Sequence, residues 1–207
     1  MVVGAVIKSF ACPSTEPAGL AWDGKTLWHC DNLSDRIYQI NPATGAVIKW
    51  FASPSTTPRG LTWDGKALWL CDSNTDRIYQ INPVTGAVIK WFASPNTEPM
   101  DLAWDGKTLW HSDLAVPRIY QIDPITGAVI RFFASPCTTP RGLTWDGQTL
   151  WHSGDQFDRV YQINPITGAV IRFFAAPSTA PRGLTWDGKN LWYCNNATDR
   201  IDQLETH

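Results

Sequence analysis

The stretch RGLTWDGKALWLCDSNTDRIYQINPVTGAVIKWF, residues 59–92, decides the fold because versions of it recur along the chain at a fixed interval. Each copy contains the tripeptide Trp-Asp-Gly, and a second tryptophan follows six residues after the first. The tripeptide begins every 41 residues, at Trp22, Trp63, Trp104, Trp145 and Trp186. Tandem units of this length are typical of propellers, solenoids and related repeat architectures.

One unit shows no helical periodicity. Its pattern predicts four short strands, at residues 59–63, 66–71, 77–81 and 87–92. Asp64-Gly65 between the first two strands is a two-residue hairpin signal, which predicts a type I′ turn with positive φ at both positions. Residues 82–86, Asn-Pro-Val-Thr-Gly, predict a longer hairpin turn with Gly86 in a left-handed bulge. A polar loop, residues 72–76, joins the second and third strands.

Four antiparallel strands in each tandem unit are the pattern of a β-propeller blade. The sequence therefore predicts an all-β fold, a five-bladed β-propeller of 41-residue blades. A blade is covered on both faces by its neighbours, so large apolar groups are expected on both faces of its strands. The tryptophan pair of each unit is accordingly interpreted as core packing, with sugar stacking as the alternative for some of the rings.

The last unit stops where its fourth strand should begin, and the missing strand is found at the start of the chain. Residues 4–10, GAVIKSF, align with residues 45–51, GAVIKWF. We expect this N-terminal strand to complete the last blade and to close one domain over residues 1–207. The blade units are about 11–51, 52–92, 93–133, 134–174 and 175–207, the last with residues 1–10.

Composition excludes several classes of function. Charged residues make up 17% of the chain, against roughly 25% in ordinary domains. A net charge of −2 gives no basic excess for a nucleic acid or an anionic membrane. No apolar run is long enough to span a bilayer, and we expect no signal peptide.

The five cysteines form no C-x-x-C pair, which argues against a zinc ribbon and against a full disulfide framework. They favour a reducing compartment, so a cytoplasmic location is the expectation. We expect no metal and no cofactor. A monomer is predicted, whose partner is a small molecule, a glycan or a protein.

The repeat Pro-x-Gly-Leu-x-Trp-Asp-Gly-x-x-Leu-Trp, followed by Ile-Tyr-Gln-Ile-Asn/Asp-Pro-x-Thr-Gly, resembles the repeats of NHL-type and virginiamycin B lyase-like propellers. It also resembles the five-bladed glutamine cyclotransferases. The resemblance covers the whole chain and consists mostly of strand and turn residues, so it implies the fold. WD repeats differ, because their Trp-Asp lies at the end of a later strand.

The cyclotransferase resemblance implies a catalytic glutamate just after the Leu-aromatic pair of one second strand. The matching positions hold no glutamate; they are His29, Leu70, His111, His152 and Tyr193. Virginiamycin B lyase-like enzymes use a histidine and a bound magnesium ion, and this chain has no matching acid–histidine arrangement. The resemblance therefore carries no catalytic residue to this sequence.

Candidate binding residues lie on the face that carries the loops between second and third strands. Arg59, Arg141 and Arg182 share one position beside the innermost strand, where paired guanidinium donors suit a carboxylate, a phosphate or a polar sugar. The alternative is that each arginine binds its own loop. Carboxylates of the same face complete the predicted ligand site: Asp31, Asp72, Asp101, Asp113 and Asp155.

Two other sets of side chains recur at fixed positions. His29, His111 and His152 are expected to be structural, since second-strand side chains lie too far from the axis to share one metal ion. Cys30, Cys71 and Cys194 alternate with serine, which indicates a small packed site rather than a nucleophile.

Near-identical repeats leave few positions that differ in role, whereas catalysis needs different residues in different roles. The sequence therefore favours a non-enzymatic binding or interaction propeller with its ligand at the channel mouth. A lyase or hydrolase at the same mouth is one alternative. A recently amplified or engineered scaffold without a present ligand is the other, because residues 52–92 and 134–174 share 28 of 41 positions.

Overall fold

A computed structural model describes residues 3–206, which form twenty strands in five sheets and no helix. Within residues 3–206, then, no helix is available that is long and apolar enough to cross a membrane. Met1, Val2 and His207, which belong to the predicted closing blade, lie outside the described residues.

The strands, in chain order, are β1 (Val6–Ala11), β2 (Pro17–Trp22), β3 (Leu27–Asp31), β4 (Arg36–Ile40), β5 (Val47–Ala52), β6 (Pro58–Trp63), β7 (Leu68–Asp72), β8 (Arg77–Ile81), β9 (Val88–Ala93), β10 (Pro99–Trp104), β11 (Leu109–Asp113), β12 (Arg118–Ile122), β13 (Val129–Ala134), β14 (Pro140–Trp145), β15 (Leu150–Gly154), β16 (Arg159–Ile163), β17 (Val170–Ala175), β18 (Pro181–Trp186), β19 (Leu191–Asn195) and β20 (Arg200–Leu204). The predicted strands thus exist in every unit, with boundaries shifted by one or two residues.

Each sheet is a four-stranded antiparallel meander, so the prediction of five propeller blades is confirmed. The first strands of the blades, β2, β6, β10, β14 and β18, pack against one another around the axis. The fourth strands form the outer rim. Along the rim the exposed aromatic rings of Trp50 and Trp91 stack under the guanidinium groups of Arg36 and Arg77.

The turn after the first strand differs from the type I′ prediction. Gly65 has φ of 94°, but Asp64 is not among the residues with positive φ. The Asp64 N–H donates to the Ala67 carbonyl at 3.1 Å, and its carboxylate Oδ1 accepts the N–H groups of Lys66 and Ala67. Gly65-Lys66 are therefore the central pair, and the aspartate caps the turn. The second hairpin agrees with its prediction, since Gly86 has φ of 75°.

The same aspartate explains why Trp-Asp-Gly and the second tryptophan recur together. Oδ2 of Asp64 accepts the indole N–H of Trp69 at 2.7 Å and the amide of Gln80 at 3.0 Å. One carboxylate thus joins the first three strands of a blade. Partial burial raises the pKa of the equivalent Asp23, but hydrogen bonds from Thr26, the Trp28 indole and Lys25 outweigh it, so this pKa lies below its usual value.

The core consists of five apolar clusters, each formed by two neighbouring blades. The second tryptophan of every unit is at most 2% exposed, and it packs beside the inner strand of the next blade. Trp28 belongs to one cluster with Leu61 and Tyr79, for example. These five rings therefore hold adjacent blades together, as predicted. The first tryptophan of each unit departs from the core prediction, because it is only partly buried and lines the other end of the channel.

The N-terminal strand closes the ring, as predicted. Strand β1 pairs with β20, with Phe10 opposite Ile201. The ring of Phe10 lies 5.8 Å from that of Trp192, which repeats the 5.9 Å spacing of Phe51 and Trp28 in the first blade. The seam differs in one place, where Ser9 hydrogen bonds Asp202 instead of an aromatic pair.

Deletion of residues 1–10 should therefore cause large destabilisation or oligomerisation. The loss exposes the edge of β20 and the face of Trp192, and an unpaired strand edge recruits other chains. Thermal melting and sedimentation velocity measure both effects, with a variant lacking residues 2 and 3 as the control. Unchanged melting and a monomeric profile would contradict the closure.

Candidate functional site

The three predicted arginines meet at one end of the central channel. A pocket at the axis is lined by Ala18, Arg59, Met100, Arg141 and Arg182, the same position of all five blades. Its volume is about 10 Å³, about the space of one water molecule. The structure therefore brings Arg59, Arg141 and Arg182 together, as predicted.

A β-bulge aims these side chains at the axis. In the second blade the pairing of β6 with β7 shifts between Pro58 and Gly60, so Arg59 is the extra residue. The same irregularity recurs around Met100 in the third blade. A bulge re-aims its side chain, which explains how a residue within the innermost strand reaches the channel mouth.

A hydrogen bond from the neighbouring blade holds each arginine bulge. Ser112 Oγ donates to the Arg141 carbonyl at 3.0 Å, and Ser153 Oγ donates to that of Arg182 at 3.1 Å. Cys30 Sγ makes the equivalent bond to the Arg59 carbonyl at 3.4 Å. Serine and cysteine alternate here because both are small donors, in agreement with the packed-site interpretation.

The arginines differ in their partners. Oδ2 of Asp155 accepts hydrogen bonds from Nε of Arg141 at 2.7 Å and from Nη1 of Arg182 at 3.0 Å. Arg59 Nε donates to Ser73 Oγ at 3.0 Å, and it has no carboxylate partner among residues 3–206. The alternative of an arginine bound to its own loop thus describes Arg59 and Arg141, whose partners come from their own blades, while Arg182 reaches across to the fourth blade.

The electrostatics of Arg59 show that positive charge is in excess at the mouth. Burial lowers its pKa first, and repulsion from Arg141 and Arg182 lowers it further. A guanidinium group remains charged in proteins in spite of such shifts. An anion between these groups would offset the repulsion among the three guanidinium groups that line the pocket.

A wider cleft adjoins the arginine pocket on the same face. It has a volume of about 180 Å³, and Arg59 and Arg141 line it together with Ser73, Thr97, Glu98, Met100 and Leu114. Sequence comparison of the repeats did not single out Thr97, Glu98 or Leu114. Thr97 is threonine in every copy, so comparison of the repeats does not distinguish it from the other four, whereas Glu98 and Leu114 lie at positions that vary among the copies.

Three of the predicted carboxylates serve their own loops instead of the mouth. Asp31, Asp72 and Asp113 end the second strands and have no exposed surface. Oδ1 of Asp72 accepts the N–H groups of Asn74 and Thr75, and Oδ2 accepts that of Thr57. The arrangement fixes the loop between strands β7 and β8, which borders the cleft through Ser73.

Asp101 lies within the channel and is 1% exposed. Its carboxylate accepts backbone N–H groups at 2.7–3.4 Å, those of Leu61, Leu102, Leu143 and Leu184. Burial raises the pKa of Asp101 well above its usual range, while the four N–H donors act in the opposite direction. Because each carboxyl oxygen accepts two of these N–H groups, the hydrogen-bond geometry is that of the ionised form. The carboxylate faces the axis and not the arginine pocket.

The histidines are structural, as expected. Nδ1 of His29, His111 and His152 lies 2.9–3.2 Å from a carbonyl of its own inner strand. Burial lowers the pKa of His29 and that of His152 to about 4, so both are neutral at pH 7. Residues 3–206 contain no cluster of three or more side chains arranged to hold a metal ion.

One cysteine does have a neighbouring base, which the sequence did not reveal. Cys137 Sγ lies 3.6 Å from Nε2 of His152, and Ser135 Oγ lies 3.0 Å from the same atom. Because Nδ1 faces the Gly142 carbonyl and carries the proton, Nε2 is the acceptor. Burial raises the pKa of the Cys137 thiol, and the residue is 3% exposed. The pair is therefore a packed hydrogen-bonded cluster, not an activated thiolate.

The comparisons with known proteins define the class as a β-propeller. No protein-family profile matches the chain, and no curated protein sequence does. Among solved structures, glutaminyl cyclase of Myxococcus xanthus superimposes with a TM-score of 0.83 at 12% identity, covering 97% of this chain and 95% of that one.

Two further structures are similar to this chain. Virginiamycin B lyase from Staphylococcus aureus gives a TM-score of 0.59 at 16% identity, covering 96% of this chain and 98% of the other. The WD40 propeller domain of Doa1 gives a TM-score of 0.63 at 11% identity, covering 91% of this chain and 63% of the other. The superpositions establish the fold, whereas sequence identities this low leave the function open.

Gly154 stands where other blades have Asp31, Asp72, Asp113 or Asn195, and Cys137 explains the exchange. A Cβ at Gly154 would meet Cys137 Sγ at 2.2 Å, so the thiol fills the space of the missing side chain. Gly154→Asp alone should destabilise by roughly 1–3 kcal/mol through overpacking.

The double variant Gly154→Asp with Cys137→Ser restores the pair found in the first two blades, where Ser14 and Ser55 occupy the cysteine position. We expect it to recover most of the loss in urea unfolding, with Cys137→Ser as the single control. Additive effects of the two substitutions would show that the residues are not coupled.

Proposed function

We propose that this protein is a non-enzymatic binding propeller that holds a small anionic ligand at the channel mouth. The observation that carries the proposal is the convergence of Arg59, Arg141 and Arg182 on one pocket with a single carboxylate partner, Asp155. Three guanidinium charges and one carboxylate leave a net charge of +2. Guanidinium donors match carboxylate and phosphate oxygens in geometry and charge.

The adjoining cleft supports a proposal for the size and the chemistry of the ligand. Arg59 and Arg141 belong to both the pocket and the cleft, so an anionic group beside them leaves the rest of the molecule in the larger space. Met100 and Leu114 offer apolar surface there, and Thr97 offers a hydroxyl. Glu98 lines the same cleft and would repel a second carboxylate. These features favour a small monocarboxylate over a dicarboxylate.

Of the predicted partners, a small molecule fits this site better than a glycan or a protein does. The cleft of about 180 Å³ admits a few heavy atoms. Rigid walls support tight binding, because the bulge carbonyls are bonded to the neighbouring blades.

The enzyme alternative, a lyase or hydrolase at the same mouth, has its support in the likeness to glutaminyl cyclase and virginiamycin B lyase. That likeness is one of fold. Turnover of a panel of peptides and lactones, with and without magnesium, would favour the enzyme over the binding protein.

Binding is tested by isothermal titration with acetate, lactate, succinate and inorganic phosphate at low ionic strength. We expect the monocarboxylates to bind more tightly than succinate. Arg59→Met, which copies Met100 of the third blade, should weaken binding about tenfold or more, since hydrogen bonds to charged groups contribute ~1.5–3 kcal/mol. The melting temperature of this variant should be unchanged or higher, because the substitution removes a buried charge that Arg141 and Arg182 repel.

The triple variant Arg59→Ala, Arg141→Ala and Arg182→Ala should abolish binding. Its matched control replaces Lys25, Lys66 and Lys107, three exposed lysines in the turns of the opposite face, with alanine. This control loses the same net charge but keeps the mouth intact. Equal losses in the two triple variants would reduce the effect to overall charge and remove the proposed site.

A further inference from the structure

The surroundings of Asp101 form a second polar site, separate from the arginine pocket. Oδ1 lies 3.1 Å from the Leu61 amide nitrogen and 2.9 Å from that of Leu102. Oδ2 lies 2.7 Å from the Leu143 nitrogen and 3.4 Å from that of Leu184. One carboxylate therefore accepts hydrogen bonds from the inner strands of four blades.

These N–H groups face the axis because of strand pairing. The inner strand β6 bonds β7 along one edge, and its other edge has no strand beside it in the sheet order. Alternate residues of an antiparallel strand direct their N–H and C=O groups to opposite edges. Leu61 belongs to the set that points inward, and the same register in β14 and β18 presents Leu143 and Leu184.

Glycine at the position of Asp101 in the other blades leaves room for one carboxylate. Those glycines are Gly19, Gly60, Gly142 and Gly183. A Cβ on Gly60 would meet the Asp101 Cα at 2.2 Å and its Oδ1 at 2.6 Å. The aspartate can therefore occupy the axis while its neighbours are glycine, and a symmetric ring of five side chains would not fit.

We propose that the axis of this propeller is an anion-binding site built from inner-strand N–H groups, which the chain fills with the carboxylate of Asp101. Backbone N–H groups that converge on one point bind anions without any charged side chain. The ligand class is a small carboxylate or a halide. If the aspartate side chain is removed, an external formate ion should take its place.

This axial site is independent of the proposed function at the mouth. Its donors are buried amides and not guanidinium groups. A failure of the arginine site to bind lactate would leave the axial proposal unaffected, and the reverse also holds.

The test variant is Asp101→Gly, because glycine is the residue of the other four blades and creates a fully repeated ring. Melting is followed in 0–0.5 M sodium formate at constant ionic strength, with perchlorate as the balancing salt. Binding to the folded state alone should raise the melting temperature of this variant by roughly 5–10 °C at a hundredfold excess over Kd.

Asp101→Asn is the matched control, since its side chain still fills the space but presents an NH₂ group to some of the donors. This variant and the unsubstituted protein should show little response to formate. Crystals of Asp101→Gly soaked in bromide should give an anomalous peak at the position of the lost carboxylate. Equal responses of all three proteins to formate, without such a peak, would overturn the proposal.

If Asp101→Gly does not fold, the amide protons of the unsubstituted protein test the axial site by NMR. The amide protons of Leu61 and Leu143 should resonate downfield of that of Leu20, the equivalent residue that does not bind Asp101, and should exchange more slowly. Coincident shifts and exchange rates for the three amides would contradict a carboxylate held in the ring of N–H donors.

Discussion

Five inner strands approach one another closely around one axis, and this approach determines which residues the channel admits. A Cβ at Gly19 would lie 2.6 Å from the Leu61 nitrogen, and one at Gly142 would lie 2.3 Å from the Arg182 carbonyl oxygen. Glycine therefore occupies four of the five positions where the strands converge, which leaves space for one side chain, that of Asp101. The same approach directs unpaired N–H groups into the channel, which a carboxylate satisfies in this chain, and it brings the preceding bulge residues together at the mouth.

The polar groups that make the channel asymmetric lie at the few positions where one blade differs from the others. The third blade replaces Arg-Gly with Met100-Asp101, which gives the axis its carboxylate and the mouth an apolar wall. The fourth blade replaces a loop-capping aspartate with Gly154 and displaces the acid to Asp155, which pairs with two arginines. Five-fold repetition provides the fold, and these departures convert a symmetric channel into one with excess positive charge at its mouth.

The fold could be predicted from the sequence because it depends on local patterns that recur at one interval, and the closure because residues 4–10 repeat residues 45–51. The three arginines could be predicted as a set for the same reason. The surroundings of Asp101 could not be predicted, since its hydrogen-bond partners are backbone N–H groups, which any residue except proline supplies. The contact of Cys137 with His152 was also missed, because it depends on space left by Gly154 in a neighbouring strand.

We propose that the mouth of this channel binds an anion, whereas the axis below is already filled by Asp101. Anomalous diffraction from crystals of the unsubstituted protein soaked in bromide tests both parts at once. We expect one bromide beside the guanidinium groups of Arg59 and Arg141, and none at the ring of amides around Asp101. A mouth that holds no bromide, while exposed lysines elsewhere bind it, would contradict the proposed anion site.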